Sequence, residues 1–367
     1  MEKPAVYHLA YQNRKRNTAG AKAPDDVTSI CNRMGFQEIR MPMLPHGKSN
    51  LYKRIWLSTV GTCSWMKAYR AIPADSILVY QHPAYGIRMI LRYVRKLKKK
   101  KNCRTIALIH DLESLRGGIK GVLKDDKKKN EISDQTLLKE FNAVICHNEH
   151  MRQYLAGAGF RADRVINLEL FDYLTDAGLR RETGEDRLSV AIAGNLLAGK
   201  SAYIYRINEK NTNSGLKINL YGNNYDEARG TPLMSYKGSF RPEEIPGVLE
   251  GAFGLVWDGP EAATCAGNTG EYLKYNNPHK TSLYLVAGMP VIVWDQAAVA
   301  DFVLGNKAGI AVGSLYEIED AIRAVTKEEY AAMCESAARI SERLRDGYYC
   351  KKALREAVDR IISGELA

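Results

Sequence analysis

Apolar and polar positions change rhythm repeatedly along this chain. Short β-branched or aromatic runs alternate with stretches of helical periodicity, the pattern of βαβ units built around a parallel sheet. The first half predicts six strands, Val6–Ala10, Glu38–Met41, Ile77–Gln81, Thr105–His110, Ala143–His147 and Val165–Leu170. The second half predicts six more, Ser189–Ala193, Lys217–Tyr221, Ser235–Gly238, Gly254–Trp257, Val291–Trp294 and Gly309–Val312. Helical patterns over Leu51–Arg70, Ile87–Lys101, Ser201–Lys210, Lys280–Val286 and Tyr316–Val325 fill most of the gaps. Lys327–Ile362 predicts two further helices, the last crossing back onto the first half. A polar, linker-like segment, Leu179–Arg187, separates the halves. The expected fold is α/β, with two doubly wound Rossmann-like domains in series. They would occupy residues 1–180 and 181–345, with a terminal helix in residues 346–367.

Composition agrees with that reading. A chain of 367 residues that is 45% hydrophobic is long enough for two cores. Charge adds something new. Residues 1–180 carry 32 Lys+Arg against 17 Asp+Glu, whereas residues 181–367 carry 21 against 25. The basic excess peaks at Arg92–Lys101 and Lys120–Lys129. These runs lack interleaved aromatics and any recognisable nucleic-acid module, so no nucleic-acid partner is expected. Arg88–Lys101 is instead amphipathic, fitting either a peripheral contact with anionic lipid or a core-packed helix with a solvated basic face.

Seven scattered cysteines without a C-x-x-C pair point to a reducing compartment and away from a disulfide framework or zinc site. The N-terminal sequence shows no apolar signal core. The longest apolar run, Leu283–Trp294, is too short to span a bilayer. A cytoplasmic location is expected, soluble or peripheral at the inner face of the membrane.

In doubly wound sheets, ligands bind just beyond the C-terminal strand ends. There the sequence places Tyr11–Pro24, His110 with Asp111 and Glu113, and His147-Asn148-Glu149-His150. The second half contributes Gly194-Asn195, Tyr221-Gly222-Asn223, Asp258-Gly259 and Asp295. His147 and His150 lie three apart, but lacking a third ligand they make a weak zinc site. Gly194–Ser201, GNLLAGKS, matches the G-x-x-x-x-G-K-[ST] nucleotide loop, although its Asn-Leu-Leu-Ala spacer offers little to wrap a phosphate. The polar stretch Asn268–Lys280 runs into a helix whose N-terminus presents free amides and partial positive charge, a natural phosphate site.

Several segments together resemble a known family. IALIHDLESLR, CHNEHMRQYL, the AGNL loop, YKGSF with RPEEIP, FGLVWDG and NTGEYLKYNNPHKTSLYLVAGMPVIVW are similar to bacterial GT-B glycosyltransferases. The resemblance is to the group containing galactofuranosyltransferases and the glucosyltransferases that extend O-linked glycans on serine-rich-repeat adhesins. It runs from about Thr18 to Ile310. It implies two facing Rossmann-like domains, a UDP-sugar donor held mainly by the second, and neither metal nor cofactor. Uracil and ribose would lie near Asn195 and Tyr221-Gly222. The diphosphate would meet Lys200, Asn276, Asn277 and Lys280, with Thr18 reaching from the first domain, and Tyr275 would also bind the donor. Asn276–Pro290 contains no Glu, which departs from many retaining members and favours inversion.

The expected activity is hexosyl transfer of galactofuranose, glucose or galactose from a UDP-sugar to a glycan, glycoprotein or lipid-linked glycan. Lys280 would stabilise the leaving diphosphate, and Asp111, with His110 and Glu113 in reserve, would take the acceptor proton. Two alternatives stand beside it: a P-loop NTPase or kinase using Gly194–Ser201, and a catalytically silent GT-B-like binding partner. A homo-oligomer is left open.

Overall fold

The protein is described here from a computed structural model, which covers residues 3–12, 19–44, 49–116, 132–180, 187–210 and 212–366. It divides into two compact units. The first comprises Met1–Arg16, Ala23–Leu168 and Cys350–Ala367; the second comprises Asn17–Lys22 and Glu169–Tyr349. The division therefore falls at Leu168/Glu169, earlier than the expected 180/181.

The first unit holds β1 (Val6–Gln12), β2 (Gln37–Pro42), β3 (Ile77–His82), β4 (Arg104–Ile109), β5 (Ala143–Cys146) and β6 (Val165–Asn167). They form one sheet in the order β2-β1-β3-β4-β5-β6, parallel throughout. A parallel sheet has helices on both faces, so its central strands are apolar on both sides. Every residue of β3 and β5 is buried. From Cys350 onward the terminal helix Tyr348–Ile362 completes this unit, with Leu354, Ala357 and Ile361 buried. Its tail is tied down by two bonds, from the Asn142 amide to the Leu366 carbonyl (3.2 Å) and from Arg360 to the Asp163 carbonyl (2.5 Å).

The second unit holds β7 (Ser189–Asn195), β8 (Lys217–Asn223), β9 (Met234–Gly238), β10 (Phe253–Val256), β11 (Val291–Trp294) and β12 (Gly309–Val312). Their order is β12-β11-β10-β7-β8-β9, again all parallel. Read from β9 this is the dinucleotide-fold order 3-2-1-4-5-6, whose direction reverses between β7 and β10. All twelve expected strands are present.

The helices follow expectation less uniformly. The predicted Leu51–Arg70 helix is three pieces in succession: Asn50–Trp56, a π turn at Leu57–Gly61, and Thr62–Ala71. The predicted Ser201–Lys210 helix shrinks to the single turn Tyr203–Arg206. Asn213 explains the stop, because its side-chain amide donates to the Ile207 carbonyl (2.7 Å) while its own N–H donates to Asn208 Oδ1 (3.1 Å). Side-chain bonds of this kind compete directly with helical ones. The helix Lys327–Asp346 opens on a capping box between Thr326 and Glu329. It packs on the short helix His279–Val286, where Ser341 Oγ and Arg345 Nη2 both donate to the Val286 carbonyl (2.6 and 2.9 Å).

That short helix is held against the sheet by one close approach. Gly254 in β10 lies under the Tyr284 ring, and a Cβ on residue 254 would sit 2.1 Å from Tyr284 Cγ. The buried Tyr284 hydroxyl accepts the Ala193 N–H of β7 (2.8 Å). Elsewhere, His147 at the end of β5 is a buried core residue whose Nε2 donates to the Ile109 carbonyl (3.1 Å). Burial pushes its pKa down to about 4.

Two outcomes follow from these packings. Gly254→Ala must displace the Tyr284 ring, and thermal or urea unfolding should show a loss of about 1–3 kcal/mol. For His147, the folded pKa lies below the unfolded one, so the unfolded chain binds the extra proton. Stability should accordingly fall as pH drops from about 6.5 towards 4, by at most about 3 kcal/mol from this residue. Urea titrations of the parent and His147→Gln at pH 7 and 4.5 check this, the variant losing less on acidification.

Candidate active site

Strand order already says where to look in the second unit. The crevice beyond the strand ends is widest where the winding reverses, between β7 and β10. Gly194 and Gly222 face each other there in the β7–β8 register. Both have positive φ (141° and 140°), and a Cβ on Gly222 would lie 1.7 Å from the Gly194 carbonyl oxygen. Only glycine lets the two strand ends close up. A Cβ on Gly194 would lie 3.4 Å from Lys280 Cε, so the Lys280 side chain runs directly past this strand end.

Lys280 comes from the first turn of the helix His279–Val286, whose N-cap is Pro278. It is half-buried, and its ammonium donates to the Trp257 carbonyl at the end of β10 (3.1 Å). The same nitrogen stands 6.0 Å from the centre of the Tyr203 ring. Asp258 and Cys265 complete this neighbourhood. Asp258 Oδ1 accepts the Gly259 N–H (2.9 Å), and burial pushes the Cys265 thiol well above its ordinary pKa. A lysine at a helix start, over the sheet's switch point, puts one full and one partial positive charge together. That combination suits a phosphate oxygen.

Several polar atoms in this region are buried without a hydrogen-bond partner: Tyr203 OH, Asn276 Oδ1, His279 Nε2, Thr281 Oγ1 and Trp294 Nε1. Buried polar atoms are ordinarily bonded, so such a group marks unmet capacity. His279 is neutral at physiological pH, its pKa pushed down to about 4 by burial and then by the Lys22 charge. Its ring lies 5.2 Å from that of Tyr173. Lys22, grouped with this unit, donates to the Leu174 carbonyl (2.5 Å) and lies over Tyr173 (4.8 Å).

The other expected donor residues divide. Asn195 is exposed at the end of β7, its Oδ1 accepting from Leu197 N–H (3.1 Å) and Asn224 Nδ2 (2.9 Å). Lys200 is exposed nearby, and Tyr275 and Asn276 are half-buried in the loop before Pro278. Two residues are engaged within the protein itself. The Asn277 side chain is buried and donates to the Glu169 carbonyl (2.8 Å), so it secures the loop. The Tyr221 ring is also buried; its hydroxyl accepts the Glu250 N–H (2.8 Å) and burial pushes it up to about 12. Only the backbone at 221–222 reaches the strand end. Thr18 lies outside the described residues.

The nucleotide-loop reading of Gly194–Ser201 fails on geometry. The Lys200 and Ser201 N–H groups both donate to the Leu197 carbonyl (2.8 Å each), and buried Ser201 donates to the Asn195 carbonyl (2.9 Å). The amides a P-loop would turn on phosphate are spent within the turn, and the helix after it is a single turn.

In the first unit, Asp111 follows β4 and is ion-paired with Arg116 (2.6 Å), with Glu113 further off (3.9 Å). His110 Nε2 meets Gln81 Oε1 (2.8 Å). Behind them His82 and Asp134 form a buried pair (3.0 Å), and Asp134 also accepts the Ser114 N–H (2.6 Å). Sequence reading assigned no role to His82, Asp134, Tyr203, Cys265 or Lys22. Tyr203 and Cys265 carry no local signal, since only the folded chain brings them to Lys280. His279 stood in the recognised loop, but nothing there foretold its burial.

Comparison with known proteins agrees with this architecture. A family described as "Glucosyltransferase 3-like, N-terminal domain" matches residues 6–170, and the corresponding C-terminal domain matches residues 190–357. Beta-1,6-galactofuranosyltransferase WbbI of Escherichia coli (strain K12) is 34% identical over 96% of this chain and 98% of its own. Glucosyltransferase 3 of Streptococcus gordonii is 26% identical over 93% and 94%. The solved structure of an alpha-glucosyltransferase in complex with UDP superimposes with a TM-score of 0.57 at 12% identity, covering 98% of this chain and 100% of that one. With a third of its residues shared over nearly its full length, the chain belongs to the glucosyltransferase 3-like family and is a hexose-transferring glycosyltransferase of GT-B fold.

Proposed function

We propose that this chain moves galactofuranose, glucose or galactose from a UDP-sugar to a glycan or lipid-linked glycan, with inversion and without a metal. The observation that carries the reading is the position of Lys280, at a helix start beside Gly194 and 3.1 Å from the Trp257 carbonyl. A departing diphosphate develops negative charge, and a fixed cation with helix-terminal amides stabilises it without reorganisation. Trp257 O holds the ammonium until an anion replaces it. Lys200 supplies a mobile second cation, and the orphaned Asn276 Oδ1 is available to a donor hydroxyl. The UDP in the solved alpha-glucosyltransferase complex supports the choice of nucleotide, and the two curated relatives support the choice among sugars.

Inversion requires one base to take the acceptor hydroxyl's proton. Asp111 is assigned that role, which requires the Arg116 ion pair to open when acceptor binds. The alternative of a catalytically silent partner makes the opposite prediction, nucleotide binding without transfer.

Four measurements test the proposal. UDP and at least one UDP-hexose should raise the melting temperature equally with and without EDTA; no response to UDP or any UDP-sugar would sink the reading. Lys280→Ala should lower transfer by about a hundredfold or more while its melting curve stays near the parent's, and near-normal turnover would show the phosphate lies elsewhere. Asp111→Asn should cut transfer by at least about a hundredfold while leaving UDP binding intact. NMR of the product's anomeric configuration decides inversion directly.

A further inference from the structure

We infer that the segment Asn50–Gly61 docks this protein on an anionic lipid bilayer by laying an apolar face into it. At 100° per residue, Leu51, Tyr52, Ile55 and Trp56 share one face of the helix Asn50–Trp56, while Lys53 and Arg54 lie on the other. In a water-soluble fold such a face turns inward. Here none of the seven helix residues is buried, and Leu51 and Ile55 are 68% and 54% exposed. Val60, on the following turn, is exposed as well.

The segment has a firm base. Leu57 and Met89 pack into the space left by two glycines, a Cβ on Gly86 falling 3.1 Å from Leu57 and 3.2 Å from Met89. The π turn Leu57–Gly61 thus seats on the start of the helix Ile87–Lys101, and the exposed helix projects from it. Tyr and Trp beside aliphatic residues are the composition of helices that lie in the headgroup region.

Charge selects the occupant. Between Ile39 and His110 the chain has 15 Lys and Arg and a single acid, Asp75, which accepts the Asn102 side-chain amide (2.7 Å). Two copies meeting through this face would bring like charges together, whereas anionic headgroups attract it. The expected basic helix contributes less than its sequence suggests. Arg95 pairs with Glu140 (2.6 Å), Lys98 donates to the Glu140 carbonyl, Lys101 to the Tyr69 carbonyl, and Lys96 covers the Tyr69 ring. Arg88, Arg92, Lys99 and Lys100 remain as exposed attractors, and insertion falls to the preceding segment. Among the described residues no helix is long and apolar enough to cross a membrane, so the contact is interfacial.

Vesicle co-sedimentation of the full chain tests this. The parent should pellet with phosphatidylglycerol/phosphatidylethanolamine vesicles and stay in solution with phosphatidylcholine alone, with binding weakened by 0.5 M salt. The double variant Leu51→Asp/Ile55→Asp should lose roughly a hundredfold in partitioning, with an unchanged melting temperature and UDP response. Lys99→Ala/Lys100→Ala should lose less. Equal binding by the Asp variant, or no binding by the parent, overturns the inference. So does light scattering in which the Asp variant turns a parent oligomer into a monomer without any vesicle binding by the parent, since the face would then be a subunit interface.

Discussion

The catalytic reading of the second unit depends on how one tyrosine is stacked on one glycine. The Tyr284 ring can lie over β10 only because residue 254 has no side chain, and its hydroxyl then reaches the Ala193 amide in β7. A single phenol therefore ties the helix His279–Val286 to the two strands between which the sheet reverses direction. Lys280, one turn earlier on that helix, is carried to the strand ends as a consequence. Ser341 and Arg345 both close the helix's last carbonyl, that of Val286. Holding the second half of so short a helix on two sides steadies its start, one turn away, as a place for charge.

The strands were legible because parallel sheets bury both faces, leaving β-branched runs that few other structures tolerate. Val291–Trp294 and Ile77–His82 show this plainly, being buried throughout. In the proposed site, position was legible at Lys280, which stands at a helix start beside the end of β7. It was illegible where a polar side chain satisfies the protein itself. Asn277 and Tyr221 look like ligand groups in one dimension, but the first secures the Glu169 carbonyl and the second the Glu250 amide. Sequence spacing carries no record of which partner a side chain finds when both lie far along the chain. The short pattern at Gly194–Ser201 misleads for a related reason, since a motif specifies residue types and its function needs the amides to point outward.

Both units bury polar atoms that find no hydrogen-bond partner, and what stands beside those atoms differs. Around β3 and β4, Nε2 of His82 meets Asp134 and Nε2 of His110 meets Gln81, while His82 Nδ1 is buried with no hydrogen-bond partner. Beside Lys280 the buried polar atoms of Asn276, His279 and Thr281 have no hydrogen-bond partner. A protein interior seldom leaves such atoms alone, and their concentration around one cation marks the place where folding has left bonding capacity to something else.

The route of the chain has a consequence for how the molecule is made. Cys350–Ala367 belongs to the first unit, where Leu366 answers Asn142 and Arg360 answers Asp163. Six strands of that unit are synthesised early, yet the segment that finishes it is translated only after the whole second unit. The nascent first half must therefore wait, incomplete, through translation of the entire second unit. Loss of Arg360 and Leu366, far in sequence from every strand of the first sheet, would take away bonds that the earliest-made sheet cannot supply for itself.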